Sequence, residues 1–159
     1  MSKEDWSYFH SGRRTPARGV LLNLTQPVIV WLTVCTKDRV PWLTQRQVSE
    51  SLRTIWSESA TAWLMGDYLL MPDHLHGFCT PRDPQFAIEQ WIAYWKSQLS
   101  RTTHRIHGRW QRGAFHHRLR SLDEYREKWI YMMENPVRRD LVERWQDWPW
   151  RGKIHDVTW

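Results

Sequence analysis

The chain alternates short apolar runs, typical of strands, with longer stretches whose apolar residues recur at helical spacing. Four runs rich in β-branched or aromatic residues predict strands, at 27–36, 61–72, 73–80 and 114–120. Three stretches with apolar residues three or four positions apart predict helices, at 45–59, 85–101 and 121–137. The expected element order is therefore β-α-β-β-α-β-α, followed by a tail.

This order matches the split βαβ layout of ferredoxin-like (RRM-like) domains. We expect an α+β fold with an antiparallel sheet, helices packed on one face and a Trp-rich C-terminal tail. Thr44 is the candidate N-cap of the first helix. Ser121 and Glu124 form a capping box at the start of the third helix, which is expected to end near Pro136. The sheet face without helices would be partly open to nucleic acid.

The 159 residues divide into a basic N-terminal arm at 1–26, a single domain at 27–142 and a tail at 143–159. Several of the 13 tryptophans fall on apolar faces and are predicted to be core residues: Trp31, Trp56, Trp91, Trp95 and Trp129. The tail tryptophans either pin the tail to the domain or meet DNA: Trp145, Trp148 and Trp150.

The net charge of +6 and the pI of about 9.7 favour a polyanionic partner, with nucleic acid the leading candidate. A soluble protein that is basic without such a partner is the alternative. The candidate nucleic-acid-binding residues are mainly clustered arginines, with one tryptophan for base stacking: Arg13, Arg14, Arg18, Arg105, Arg109, Trp110, Arg112, Arg118, Arg120, Arg138 and Arg139.

Cys35 and Cys79 form neither a metal-binding pair nor a disulfide framework, so both are expected to be reduced. The N-terminus lacks the apolar core of a signal peptide, and no apolar run reaches the length of a membrane span. These features predict a cytoplasmic protein that does not partner a membrane.

The stretch MPDHLHGF, at 71–78, places two histidines on a predicted strand. Residues i and i+2 of a strand point to the same face, so His74 and His76 project together. Their backbones lie roughly 6–7 Å apart, close enough for both rings to converge on one divalent cation. Two surface histidines on a polar strand face are the alternative, since two ligands alone do not make a metal site.

The third predicted helix carries two tyrosines in different positions. An apolar stripe follows one side of this helix: Leu122, Tyr125, Trp129, Met132, Met133 and Pro136. Tyr131 lies about 140° from the centre of that stripe, and Asn135 is its neighbour at i+4. Tyr125 is therefore predicted to be core, whereas Tyr131 is either a functional residue or an exposed one.

Three stretches, together with a first strand that runs into TKDR at 36–39, resemble the REP-associated tyrosine transposases, a branch of the single-tyrosine HUH transposases. MPDHLHGF resembles the HUH signature, in which two histidines flank a bulky hydrophobe. YMMENPVRRDLV, at 131–142, resembles the family's tyrosine helix, and WQRGAFHHRLRS, at 110–121, resembles its Trp-Gln-x-x-Phe stretch. His117 matches a recurrent family histidine, although the sequence suggests no role for it or for His116.

The resemblance implies a metal-dependent endonuclease and transesterase that cleaves and rejoins single-stranded DNA next to hairpins of repeated extragenic palindromes. It implies that Tyr131 is the nucleophile and forms a 5′-phosphotyrosine intermediate. It also implies that His74, His76 and Asn135 bind Mg²⁺ or Mn²⁺, and these neutral ligands suit such hard cations. The protein would act as a monomer or homodimer in the bacterial cytoplasm, nucleoid-associated when bound to DNA.

Two other functions remain open from the sequence. One is an ordinary insertion-sequence transposase of the same superfamily, which mobilises its own element. The tail beyond the tyrosine helix favours the REP-associated branch over it. The other is a domesticated, non-catalytic hairpin DNA-binding protein, against which the intact set of His74, His76, Tyr131 and Asn135 argues.

Overall fold

The structure, a computed structural model, describes residues 27–103 and 108–159. The predicted N-terminal arm, with Arg13, Arg14 and Arg18, lies outside the described residues, as does Arg105. The strands are β1 to β5 in chain order: Val30–Cys35, Trp63–Met71, His74–Pro81, Phe115–Arg118 and Arg151–Lys153. The main helices are α1 to α3: Arg46–Thr54, Ile88–Thr102 and Leu122–Arg138.

The strands form one antiparallel sheet in the order β4-β1-β3-β2-β5. In this sheet, Cys35 at the end of β1 pairs with His74 at the start of β3. The first four strands lie where the apolar runs predicted them. β5 was not predicted, because no apolar run marks a strand in the tail at 151–153. It forms by pairing with residues 67–69 of β2.

Apolar residues cover both faces of the sheet. On one face, α1 and α2 bury a core in which Leu32, Leu52 and Trp95 are fully enclosed. On the other face, α3 and the tail pack on residues that include Trp31 and Phe78. The α+β, ferredoxin-like fold class is confirmed. The covering of the sheet differs from the expected layout, because α3 covers the face that was expected to be partly open.

Two helix boundaries differ from those predicted. Gln45, not Thr44, is the N-cap of α1, and its side chain makes no capping hydrogen bond. The chain then continues through a π-helical turn at Ile55–Ser59. α3 runs two residues past Pro136, which lies inside the helix and is buried.

The tail is held to the domain by its tryptophans. Trp148 is buried, and its indole Nε1–H donates to the carbonyl of Leu70 at 2.9 Å. Trp145 and Trp150 are partly buried against the core, so all three favour pinning of the tail over an open DNA-binding role. Trp129 is also only partly buried, unlike the other four tryptophans predicted to be core.

Within the described ranges, no helix has the length and apolar character needed to span a bilayer.

Candidate active site

His74 and His76 lie side by side at the start of β3, on the sheet face covered by α3. Their ring centroids are 4.8 Å apart, and the two side chains are essentially inaccessible to solvent. The strand alternation that the sequence predicted explains this pairing. Leu75 and Cys79, between and beyond them, belong to the core on the opposite face.

The ring of His74 is fixed by hydrogen bonds at both nitrogens. Nδ1–H donates to Oδ1 of Asp73 at 2.7 Å, and Nε2 accepts from the side-chain amide of Asn135 at 3.3 Å. Burial lowers the pKa of the His74 ring, against the opposing effect of the Asp73 carboxylate. His74 is therefore neutral near pH 7, with the lone pair on Nε2.

At the Asp73 carboxyl, burial is outweighed by the combined opposing effects on the pKa. Burial acts to raise its pKa, but the hydrogen bond from His74 and the positive charge of Arg39 outweigh burial and lower the pKa to about 2. Asp73 is therefore ionised near pH 7, and it holds the His74 proton on Nδ1. A carboxylate of this kind orients a histidine and raises the basicity of its other ring nitrogen.

His76 has one satisfied ring nitrogen and one that is buried without a partner. Nδ1 lies 2.8 Å from Oγ1 of Thr33, which pairs with His76 across β1 and β3. The ring stacks on Trp31 with centroids 4.8 Å apart. Nε2 has no hydrogen-bond partner among the described residues. Burial holds the pKa of His76 well below its usual range, so this nitrogen is unprotonated when Nδ1–H donates to Thr33.

The helix α3 brings Tyr131 and Asn135 to the two histidines. The ring of Tyr131 is half-buried and lies 5.8 Å from the His76 ring, centroid to centroid. The guanidinium of Arg138 lies 4.2 Å from the Tyr131 ring centroid, and the ammonium of Lys128 lies 5.9 Å from it. A tyrosine beside two cations and two neutral imidazoles is well placed to act on an anionic phosphodiester.

The residues present fit a hard divalent cation. A buried imidazole nitrogen with no partner is costly unless something else binds it, and a cation would satisfy Nε2 of His76. Nε2 of His74 faces the Asn135 amide, and a half-turn of that amide would put its oxygen, in place of its nitrogen, beside Nε2 of His74. Among residues 27–103 and 108–159, no three His, Cys, Asp or Glu side chains form a metal-binding group. The fit therefore depends on the asparagine as third ligand.

The arginines predicted to bind nucleic acid are divided between different parts of the domain. Arg138 and Arg139 lie at the site, on the last turn of α3 and just beyond it. Arg109 and Arg112 lie on the loop between α2 and β4, which passes beside the end of β1, where Lys37 N–H donates to the Arg109 carbonyl at 2.8 Å. This is the end of the sheet that holds His74.

The other predicted contacts lie farther from the histidines. Arg118 pairs with Val30 in the sheet, so it points to the face opposite Tyr131. Arg120 is exposed just before α3. Trp110 packs edge-on against Trp42 and Trp95, with centroids 4.8 and 5.4 Å away, which leaves less of its ring for base stacking. Its DNA contact stays a prediction.

His116 and His117, for which the sequence suggested no role, each have an acidic partner. Nε2–H of His116 donates to Glu89 on α2 at 3.1 Å. Nε2–H of His117 donates to Glu124, whose other carboxylate oxygen accepts from Arg120 N–H at 2.7 Å. The two residues point to opposite faces of β4, and each ties this short strand to a different helix.

Sequence reasoning missed the residues that surround the histidines. Thr33 interrupts the apolar series of β1 on the side facing α3, and that polar break was the signal that could have found it. Lys128 lies one helical turn before Tyr131, a spacing that is visible in the sequence. Arg39 lies in a connecting loop, where no periodicity marks it.

Comparison with known proteins agrees with the sequence motifs. No family model matches the chain. A provisionally named REP-associated tyrosine transposase of Haemophilus influenzae is 30% identical, over 55% of this chain and 57% of its own length. The chain resembles REP-associated tyrosine transposases. It spans little more than half the length of this curated relative.

Solved structures agree in fold. A REP-associated tyrosine transposase bound to a REP hairpin superimposes with a TM-score of 0.66, at 19% identity, over 79% of this chain and 76% of that one. A provisionally assigned transposase from Deinococcus radiodurans gives a TM-score of 0.50 at 15% identity, over 76% and 95% of the two chains. The sheet and its helices are thus shared with transposases of this type.

Proposed function

We propose that this chain is a metal-dependent endonuclease and transesterase of single-stranded DNA, of the REP-associated type. The observation that carries the proposal is the meeting of three groups at one place. Two neutral, buried imidazoles lie on β3, the Nε2 of His76 lacks a partner among the described residues, and the Tyr131 ring lies 5.8 Å from the His76 ring. This is a nucleophile beside a candidate cation site.

In the proposed reaction, the phenol oxygen of Tyr131 attacks the phosphorus of a phosphodiester. The new bond joins that oxygen to phosphorus, and the bond to the 3′-oxygen breaks. The departing 3′-oxygen takes up a proton, and the phenol proton goes to solvent. The DNA stays linked through its 5′-phosphate, and a later 3′-hydroxyl reverses the step and rejoins the strand.

His74, His76 and Asn135 would hold Mg²⁺ or Mn²⁺ in this proposal. When bound, such an ion supplies a Lewis acid for the phosphoryl oxygen. The chain's own contribution is to keep both imidazoles neutral, with the lone pair of each ring on Nε2. Thr33 and Asp73 do so by fixing the protons on Nδ1.

The cations next to Tyr131 fit the negative charge of the substrate. Arg138 lies over the tyrosine ring and also donates to the Tyr131 carbonyl at 2.7 Å. Lys128 lies 5.9 Å from both the Tyr131 and Trp31 ring centroids. We assign to these two side chains the neutralisation of the scissile phosphate and its neighbours.

A DNA hairpin is the proposed substrate because a protein of this fold has been solved with a REP hairpin. The arginines at the end of β1 and on α3 provide phosphate contacts around the site. The proposal places the protein in the bacterial cytoplasm, where such DNA is found.

The deciding experiment separates the two tyrosines of α3. Tyr131→Phe removes the nucleophilic oxygen and keeps the ring, so it should bind hairpin DNA within about 3-fold of wild type and form no covalent adduct. Tyr125→Phe is the matched control. Tyr125 is buried, its hydroxyl donates to the Val157 carbonyl at 3.4 Å, and loss of that bond costs only about 1 kcal/mol of stability.

The measurement is denaturing electrophoresis with an oligonucleotide labelled on the 3′ side of the cut. A 5′-phosphotyrosine link retains that label on the protein. Label on Tyr131→Phe but not on Tyr125→Phe would show that the nucleophile is misassigned. Hairpin binding by the wild type with no adduct in Mg²⁺ or Mn²⁺ would instead indicate a domesticated DNA-binding protein.

A further inference from the structure

The carboxylate of Asp73 is held between two side chains. Its Oδ1 accepts from Nδ1–H of His74 at 2.7 Å, and its Oδ2 lies 3.1 Å from Nε of Arg39. The side chains of Asp73 and Arg39 are 16% and 26% exposed, so this ion pair is shielded from water on most sides. The Asp73 carboxylate thus links Arg39 to the His74 ring, whose Nε2 faces Asn135.

The guanidinium of Arg39 has a second anchor. Its Nη1–H donates to Sγ of Cys35 at 2.9 Å, at the end of β1. Two fixed partners on different elements leave the guanidinium little rotational freedom. Because a planar guanidinium presents several donors in fixed directions, it can orient a carboxylate as well as neutralise it.

The backbone at Asp38 and Arg39 has an unusual conformation, which places the Arg39 side chain beside Asp73. Asp38 and Arg39 have φ angles of 54° and 57°, in the left-handed region that residues other than glycine seldom adopt. Such a conformation is strained in both residues, and it persists only where the surroundings impose it.

Hydrogen bonds tie this connection to the turn between β2 and β3. Thr36 donates from both N–H and Oγ1–H to the carbonyl of Asp73, at 2.9 and 3.0 Å. Trp42 N–H and Leu43 N–H both donate to the carbonyl of Pro72. The loop therefore holds the backbone of Asp73 while Arg39 holds its side chain.

We propose that Arg39 is a positioning residue for the cation site: by fixing the Asp73 carboxylate, it directs Nε2 of His74 to the bound ion. This inference rests on the proposed metal-dependent function. It assigns to Arg39 an action through Asp73 alone, and not a contact with DNA phosphate.

The test measures Mn²⁺ affinity of the full chain without DNA, by the electron paramagnetic resonance signal of free Mn²⁺. Arg39→Gln should weaken Mn²⁺ binding by about 10-fold, the lower end of the effect of losing a partner of a metal ligand. Arg46→Gln is the matched control, because Arg46 pairs with Glu50 at 3.1 Å on the exposed surface of α1. It should bind Mn²⁺ like wild type.

A double-mutant cycle identifies the route. Asp73→Asn keeps an oxygen that accepts from His74 but removes the ion pair with Arg39. If Arg39 acts through Asp73, adding Arg39→Gln to Asp73→Asn should weaken Mn²⁺ binding by less than 2-fold further. Hairpin affinity measured without metal should be the same in wild type and Arg39→Gln, since Arg39 makes no proposed phosphate contact.

Each result has a defined meaning. Wild-type affinity in Arg39→Gln, with Mn²⁺ binding lost in His74→Ala, overturns the role of Arg39 and leaves the proposed function intact. If the losses of Mn²⁺ affinity caused by Arg39→Gln and Asp73→Asn add fully in the double variant, the role of Arg39 is also overturned. No Mn²⁺ binding by the wild type overturns both proposals. If Arg39→Gln does not fold, Arg39→Lys provides the same comparison: it keeps the charge but lacks the planar geometry, and wild-type affinity in it would contradict the orienting role.

Discussion

At His76, burial and one hydrogen bond determine which ring nitrogen is available. The ring is stacked on Trp31 and bonded to Thr33 at Nδ1, so rotation of the side chain would break both contacts. Desolvation disfavours the imidazolium form, so the ring is neutral. When Nδ1–H donates to Thr33, the proton is absent from Nε2, which has no hydrogen-bond partner among the described residues. A nitrogen in this state offers a lone pair to the proposed cation and has no proton to give as a general acid.

His74→Ala and His76→Ala should each reduce metal-dependent cleavage by more than about 100-fold, since a lost ligand costs more than a lost partner of a ligand. Hairpin affinity without metal should change little, because arginines and Lys128 are assigned to the phosphates. The loss of activity is measured by cleavage of a labelled hairpin oligonucleotide at millimolar Mg²⁺. The hairpin affinity is measured by fluorescence anisotropy. Full cleavage by both variants would remove the cation site from these histidines.

At the scale of elements, the start of α3 shows how the site helix is fixed in place. Oγ of Ser121 accepts from Glu124 N–H at 3.1 Å, which confirms the first half of the predicted capping box. The Glu124 side chain differs from the prediction: it accepts from Arg120 N–H and from the His117 ring instead of closing the box. The cap therefore joins α3 to β4, which pairs with the β1 strand that carries Trp31 and Thr33.

Glu124→Gln should destabilise the protein at pH 7 by about 1 kcal/mol, as expected for weakening a charged cap and its ring partner. Burial acts to raise the Glu124 pKa, but the bonds from His117 and Arg120 N–H outweigh burial and lower it. This lowered pKa gives stability that is present above the ordinary Glu pKa and is lost as the pH falls through the folded-state value.

Urea unfolding of wild type and Glu124→Gln between pH 7 and pH 3 measures this effect. The difference in free energy of unfolding should shrink below about pH 4, where Glu124 becomes protonated in the unfolded chain. A difference that stays constant over this range would show that the charge of Glu124 is unimportant for the cap.

At the scale of the whole molecule, four of the arginines predicted to bind nucleic acid lie near one end of the sheet. Arg109 and Arg112 lie on the loop between α2 and β4, beside the end of β1, whereas Arg138 and Arg139 lie at the end of α3 on the other face. A DNA strand that reaches Tyr131 would pass between these two groups. Affinity that depends on arginine–phosphate contacts has a marked dependence on salt.

Hairpin affinity should therefore fall steeply between 50 and 200 mM salt, as bound counterions are released from the phosphates. In a plot of log affinity against log salt concentration, Arg138→Gln should reduce the slope by about 1, and Arg46→Gln should leave it unchanged. Titrations at several salt concentrations measure the slope. Affinity that is flat over this range would contradict the polyanion assignment.

Apolar periodicity accounts for the parts of the fold that the sequence predicted. β1 to β4 and all three helices carry strong patterns, and their alternation placed His74 and His76 on one face. β5 has no such pattern, since RGK at 151–153 contains no apolar residue; its pairing depends on Trp148 and on the exposed edge of β2. The contact of Arg39 with Asp73 was missed for a similar reason, because it depends on backbone angles that the apolar periodicity does not indicate.

The pairing of β5 with β2 also has a consequence for how copies of this protein behave towards one another. An uncovered edge strand offers a row of N–H and C=O groups on which another chain can add a strand, the first step of edge-to-edge aggregation. Here Leu70 N–H donates to the Trp150 carbonyl at 2.7 Å, and His155 N–H donates to the Met65 carbonyl at 2.9 Å. The opposite edge, β4, is only four residues long. The tail thus occupies the longer of the two edges, so that edge offers no free row of N–H and C=O groups to the sheet of another copy.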